Sequence, residues 1–230
     1  MKNIVTIHPN ERVDDLECDG SYIIQNPSGF CFGIDAVCLS NFANIKKGDT
    51  VLDIGTGTGI IPILLCAKTK GHHFTGLELQ EEYADMARRS VQMNGLCDRI
   101  AIHCGDIKNG AQLYPTNHFD AITVNPPYIA NAGGVLNESS AKAIARHEIA
   151  CTLADIVTVS ARLLKTGGRL YMVHRPTRLA DIICTLRTAK LEPKTLRFVQ
   201  GKLDKKPSLV MVEAVDGGKP ELAVEPVLVL

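Results

Sequence analysis

No stretch of the chain approaches 18 consecutive apolar residues, so a transmembrane helix is not expected. The segment Met1–Asp19 lacks an apolar core and carries several acids, and does not read as a secretory signal. No CxxC pair occurs among the eight cysteines (18, 31, 38, 66, 97, 104, 151 and 184). That argues against zinc sites and a disulfide framework, and for buried thiols. These absences point to a cytoplasmic protein with no membrane and no metal partner. Net charge is also missing: 25 Lys and Arg balance 25 Asp and Glu, which speaks against a purely electrostatic nucleic-acid binder.

Charge is nevertheless unevenly spread. Between Arg162 and Pro207 twelve Lys or Arg face three acids, whereas 1–45 holds two bases and six acids. Such a block is either a solvated face or the footprint that a polyanion needs on a neutral domain.

At 230 residues and 45% hydrophobic, the chain is long enough for one domain with a substantial core. Residues 1–45 read as a hairpin and helix extension: Glu17–Gln25 form a hairpin around Asp19-Gly20, and Asp35–Ile45 a short helix. Residues 46–230 read as the main domain. Thr50–Ile54, His73–Leu77, Arg99–His103, Asp120–Val124 and Arg169–Val173 are expected strands. Helices are expected at Ile60–Lys68, Glu81–Asn94 and about 147–164, the last broken by Lys165-Thr166-Gly167-Gly168. The alternation implies parallel βαβ units. Thr195–Gly201 and Ser208–Ala214, joined by a short turn, should pair antiparallel. The expected fold is α/β: a doubly wound, mostly parallel seven-stranded sheet with one antiparallel strand near the C-terminus.

Asp53-Ile-Gly55-Thr56-Gly57-Thr-Gly59 follows a strand and opens a helix, the context of a cofactor loop. Ile60-Ile61-Pro62 follows the last glycine where a phosphate-binding loop would need Lys-Ser/Thr. The GxGxG spacing also departs from the GxGxxG of dinucleotide sites. Asp53, Glu78 and Asp106 fall at the ends of three successive strands. Carboxylates there suit a cationic ligand without phosphate, as S-adenosyl-L-methionine is. Glu78 could accept from both ribose hydroxyls and Asp106 from the adenine amino group. Each acid alone could instead be a helix N-cap.

Asn125-Pro126-Pro127-Tyr128 directly follows the Asp120–Val124 strand. Prolines fix φ and lack N–H, so the turn presents carbonyls in a set geometry. An amino nitrogen conjugated to a purine or amide is a poor nucleophile. Two acceptors, the Asn125 side-chain oxygen and the Pro126 carbonyl, can draw its lone pair out of conjugation. Tyr128 can stack on a planar target, worth about 1–3 kcal/mol for a base. The alternative is a plain proline turn with Tyr128 in the core.

Asp53–Gly59, Glu78, Asp106 and Asn125–Tyr128 resemble the motif set of class I (Rossmann-like) amino-methyltransferases. With Asp14-Asp15-Leu16, Ile23-Ile24-Gln25, Phe30–Val37, Gly59–Pro62, Ala145–Glu148 and Leu191–Lys194, the chain resembles the bacterial tRNA1(Val) adenine-N6 methyltransferase family over about Asp14 to Val215. The resemblance implies S-adenosyl-L-methionine as cofactor and tRNA as partner. The oligomeric state is left open, with a monomer slightly favoured. The resemblance also implies methylation of the adenosine just 3′ of the anticodon, with the base flipped beside Asn125. It implies that Phe32, Gly33, Asp35 and Ala36 close over the methionine end of the cofactor, although Asp35 could simply cap the next helix. Thr56, Leu79 and Ile107 would complete the cofactor site. Arg146 and His147 would face the nucleic acid, or form a surface link with Glu148. The Asn125–Ile129 turn is also similar to protein-glutamine methyltransferases of release factors, which usually carry a separate helical N-terminal domain. Ribosomal-RNA guanine-N2 enzymes, which often have Phe at the Tyr128 position, share a similar turn.

Overall fold

A computed structural model of the chain describes residues 3–29, 31–126 and 151–230. The extension begins with β1 (Arg12–Asp15) and β2 (Tyr22–Gln25), an antiparallel hairpin with Arg12 opposite Gln25 and Asp15 opposite Tyr22. Its first strand lies earlier than the pattern suggested. Glu17, Asp19 and Gly20 all take positive φ in the connection, which pushes the pairing residues outward. A helix, α1 (Ile34–Phe42), follows.

The main sheet starts with β3 (Thr50–Ile54), followed by α2 (Ile60–Lys68), β4 (His73–Glu78), α3 (Glu81–Met93) and β5 (Ile100–Cys104). Next come a short α4 (Gly110–Leu113), β6 (Phe119–Val124), α5 (Leu153–Leu163), β7 (Leu164–His174) and α6 (Leu179–Thr188). The chain closes with β8 (Leu191–Gln200), β9 (Leu209–Asp216) and two short strands, β10 (Ala223–Val224) and β11 (Leu228–Val229). The sheet order is β10-β8-β9-β7-β6-β3-β4-β5, and β11 also pairs with β8. Among the described strands of this sheet only β9 runs against the rest, and the expected α/β architecture holds.

Two details differ from expectation. The sheet has nine strands among the described residues, because β10 and β11 run along the outer edge of β8 and cover an edge that would otherwise be open. Lys165–Gly168 do not separate helix from strand but lie inside β7, where a register shift against β6 and Gly167 at φ +77° absorb the irregularity.

Strand side chains alternate between two cores. Val51, Ala121, Tyr171 and Met211 pack under α1 and α2, and their neighbours Leu52, Ile122, Met172 and Val212 pack under α5 and α6. Burial on both faces explains the nearly continuous apolar strands. The helices carry their own signals. Thr152 and Asp155 form a reciprocal capping box on α5. Glu81 and Glu82 sit at the positive end of α3, and Gly95, at φ +68°, follows its C-cap. The hairpin is fastened to α3: the Ile24 N–H donates to Ser90 Oγ at 2.9 Å and the Tyr22 N–H to Asn94 Oδ1 at 2.8 Å.

All eight cysteines are unpaired, but only Cys38 and Cys66 are buried; Cys97, Cys104 and Cys184 are exposed. The expectation of buried thiols therefore fails for most of them. Among the described residues no helix is long and apolar enough to cross a membrane.

Candidate active site

Parallel strands β3, β4, β5, β6 and β7 all end on one edge of the sheet, where a cavity of about 430 Å³ opens. Its floor is the glycine loop after β3. Gly55, Gly57 and Gly59 have φ of +70°, +56° and +90°, so each alternate position needs a residue without Cβ strain. The loop is tied to β4, with the Gly55 and Thr56 N–H groups both donating to the Leu77 carbonyl. Gly55 and Gly57 line the cavity, whereas Gly59 lies behind them, where a Cβ would stand 3.3 Å from that of Ala87.

Glu78 is buried at the end of β4. Its Oε2 accepts from the Gly57 N–H and its Oε1 from the Gln80 N–H, both at 2.9 Å. The carboxylate is thereby fixed at the cavity wall with lone pairs left for a ligand. Leu79 beside it is 44% exposed, an apolar surface facing the cavity. Asp106 and Ile107, just past the neighbouring strand β5, also line the cavity. Asp106 caps the short turn that follows, accepting from the Lys108 N–H at 2.9 Å, as the helix-cap reading expects.

Asp53 lies beneath the loop rather than in the cavity wall. Thr123 Oγ1 donates to Asp53 Oδ1 at 2.7 Å, and Oδ2 is buried with no hydrogen bond among the described residues. Burial pushes its carboxyl up to about 7; the Thr123 and Thr56 hydroxyls oppose this and the Glu78 charge adds to it.

Asn125 and Pro126 line the cavity where β6 ends. Asn125 Oδ1 is buried and accepts no hydrogen bond among the described residues. A buried amide oxygen left without a donor is costly, and here it borders the space a ligand would fill. Pro127, Tyr128, Arg146 and His147 lie outside the described residues.

Of the four N-terminal candidates, Asp35 alone lines the cavity. Gly33, not Asp35, is the N-cap of α1, and Asp35 stands in its first turn. Phe32 packs partly buried against the core and Ala36 is 1% exposed, and neither lines the cavity. The sequence reading missed Gln80, Tyr83, Cys151, Thr152, Leu153, Ile156, His174 and Arg178, all of which line the cavity. His174 ends the parallel strand β7 and Arg178 follows it, the kind of position at which such folds place their site residues. Burial, with Arg178 and Arg175 nearby, pushes His174 down to about 4, so its imidazole is neutral near pH 7. Gly76 was also unmarked. A Cβ there would stand 2.8 Å from the Thr56 side chain, so its absence lets the glycine loop sit close to β4.

The donor set suits S-adenosyl-L-methionine: bare backbone at Gly55 and Gly57, a fixed carboxylate at Glu78, and further acids Asp35 and Asp106 around a ligand that is cationic. Residues 34–187 match the methyltransferase small domain family, and the chain belongs to it, within the class I S-adenosyl-L-methionine-dependent methyltransferases. A Histophilus somni protein named tRNA1(Val) (adenine(37)-N6)-methyltransferase is 30% identical over 154 residues, covering 66% of this chain and 64% of that protein. A Porphyromonas gingivalis protein of the same name is 29% identical over 187 residues, covering 79% and 72%. The chain thus spans a little under two thirds of the first relative and more of the second. Among solved structures, an Agrobacterium tumefaciens protein described as a predicted O-methyltransferase aligns with TM-score 0.69 at 20% identity, covering 85% of this chain and 86% of that one. Geranyl diphosphate C-methyltransferase from Streptomyces coelicolor, in complex with S-adenosyl-L-homocysteine, aligns with TM-score 0.57 at 14% identity, covering 80% and 77%. At such identities these two bear on the fold alone.

Proposed function

We propose that this chain transfers a methyl group from S-adenosyl-L-methionine to N6 of an adenosine in tRNA, at position 37 of tRNA1(Val). The buried Asn125 Oδ1 at the cavity, without a hydrogen-bond partner among the described residues, carries the reading, because it is an acceptor that a target N–H can satisfy. The names of the Histophilus and Porphyromonas relatives supply the acceptor.

In this reading Gly55, Gly57 and the flanking Thr56 backbone cradle the cofactor, and Glu78 takes its ribose hydroxyls. Leu79 and Ile107 flank its adenine ring, and Asp106 accepts from the adenine amino group. Asp35, with the backbone of Phe32, Gly33 and Ala36, borders the methionine end; Asp53 and Gly59 hold the loop from below. When bound, the cofactor supplies an electrophilic methyl group on a sulfonium. Asn125 Oδ1 accepts one N–H of the target amino group and the Pro126 carbonyl accepts the other, which draws the nitrogen lone pair out of the ring. Pro127 sets that geometry and Tyr128 stacks on the base. Arg146 and His147 contact the tRNA. Methylation leaves an acidic ammonium whose proton goes to water, so no general base is required.

The test is transfer of labelled methyl to bulk unmodified tRNA, followed by nucleoside mass spectrometry. N6-methyladenosine is expected. Label on a release-factor glutamine, or as N2-methylguanosine in ribosomal RNA, would replace this acceptor with another.

A further inference from the structure

The twelve bases between Arg162 and Pro207 do not share one face. Because β7 and β8 run parallel to the strands that carry the site, their carboxyl ends lie on the cavity edge and their amino ends on the opposite edge. At the far edge and along the strands, four of these cations are paired with acids. Lys165 holds both carboxylate oxygens of Asp120 at 2.8 Å, Arg169 pairs with Glu213 at 3.1 Å, Arg187 with Glu192 at 3.3 Å and Arg197 with Glu225 at 3.6 Å.

The cavity edge carries a cluster of cations of its own. Arg178 lines the cavity itself, held by Asp181 in an open pair at 2.8 Å. Arg175, directly after the cavity residue His174, donates from Nη1 to the Ser208 carbonyl at 3.3 Å, which ties the rim to the turn between β8 and β9. That turn carries Lys202, Lys205 and Lys206, all exposed, and its one acid, Asp204, stands 3.9 Å from Lys205. Leu203 at its tip is 85% exposed, an apolar group set among cations that can lie against a ribose or base. A compact surface pair exchanges easily for a phosphate contact, since exposed pairs contribute little.

We propose that Arg178, Arg175 and the Lys202–Lys206 turn form one cationic rim that binds the phosphate backbone of the acceptor RNA and delivers it to the cavity. The proposal rests on the RNA reading above, and narrows the basic segment to its cavity-edge part. RNA is favoured over an anionic membrane because the cations are continuous with a cavity wall that a flipped base has to enter.

The test measures binding of fluorescent unmodified tRNA at several salt concentrations, separately from methyl transfer. In the variant Lys202→Gln/Lys205→Gln/Lys206→Gln the plot of log affinity against log salt should become shallower by about 2, at roughly 0.7–0.9 for each phosphate that is no longer neutralised. Affinity near physiological salt should fall at least about tenfold, with KM for tRNA raised, kcat little changed and cofactor affinity intact. Arg178→Gln should raise KM in the same direction. Lys46→Gln/Lys47→Gln/Lys70→Gln, exposed on the opposite edge, should leave both slope and KM unchanged. A turn variant with wild-type slope and KM overturns the rim even where wild-type tRNA is methylated. If the wild type binds tRNA with the expected slope but methylates another acceptor, the rim stands and the acceptor assignment falls. Retention on phosphatidylserine vesicles without tRNA binding would overturn the rim in favour of a membrane.

Discussion

Replacing Asn125 by alanine separates folding from chemistry at one side chain. A buried carbonyl without a hydrogen bond costs the folded state about 1–3 kcal/mol, and Asn125 Oδ1 is such an atom among the described residues. Truncation removes that cost together with the packing of a residue that is only half-buried. The two nearly cancel, so Asn125→Ala should change stability by less than about 1 kcal/mol. For a chain of this size that moves Tm by about 2–4 °C at most. Turnover should respond quite differently. An acceptor aimed at the reacting amino group acts where charge develops, and loss of one such preorganised partner costs about 2.7–4 kcal/mol, or roughly 100- to 1000-fold in rate. The assay is single-turnover methyl transfer to unmodified tRNA, with cofactor affinity measured by calorimetry and stability by thermal unfolding. Slow transfer with unchanged cofactor affinity and a nearly unchanged Tm is expected. Transfer within threefold of wild type, or equal losses of transfer and cofactor affinity, would refute the role given to this oxygen.

Three further outcomes follow from the same geometry. With its carboxyl raised from 3.8 to about 7 by burial, Asp53 costs the folded state up to about 4 kcal/mol once ionised. That cost is absent below pH 4, grows as pH rises and is complete above pH 7. Asp53→Asn should therefore gain stability relative to wild type between pH 4 and pH 7, read by urea unfolding; a pH-independent difference would contradict the buried-acid account. Glu78→Gln replaces one of the oxygens that accept from Gly57 and Gln80 with an NH2 group, and should weaken cofactor binding at least about tenfold by calorimetry. In Gly76→Ala the new methyl would stand 2.8 Å from both Thr56 and Ile102, costing about 1–3 kcal/mol and displacing the glycine loop. Lower Tm together with weaker cofactor binding is expected; loss of stability alone would detach Gly76 from the site.

Elements governed by local pattern were legible in the sequence. Thr50–Ile54 and Ile60–Lys68 appear with the expected bounds, since a buried apolar run between Asp49 and a glycine turn leaves little choice. The three alternate glycines read correctly because positive φ is a local demand that few other residues meet. What stayed hidden depends on which strand ends become neighbours. His174 and Arg178 lie some 50 residues from Asn125 along the chain, and only the pairing of β6 with β7 brings them to the same cavity. Likewise, composition counts charges but not their partners. Lys165 and Arg169 look like Lys205 and Lys206 in the sequence, yet Asp120 and Glu213 occupy the first two from distant strands. The edge strands β10 and β11 are two residues each, too short for any periodicity to show.

Two transcripts of tRNA1(Val) that differ only at position 37 decide whether the adenosine amino group is the acceptor. One N6-methyl group per molecule is expected on the transcript with adenosine there, and none on the transcript with guanosine. Equal methylation of both, or of neither while another nitrogen acceptor is labelled, would contradict that assignment.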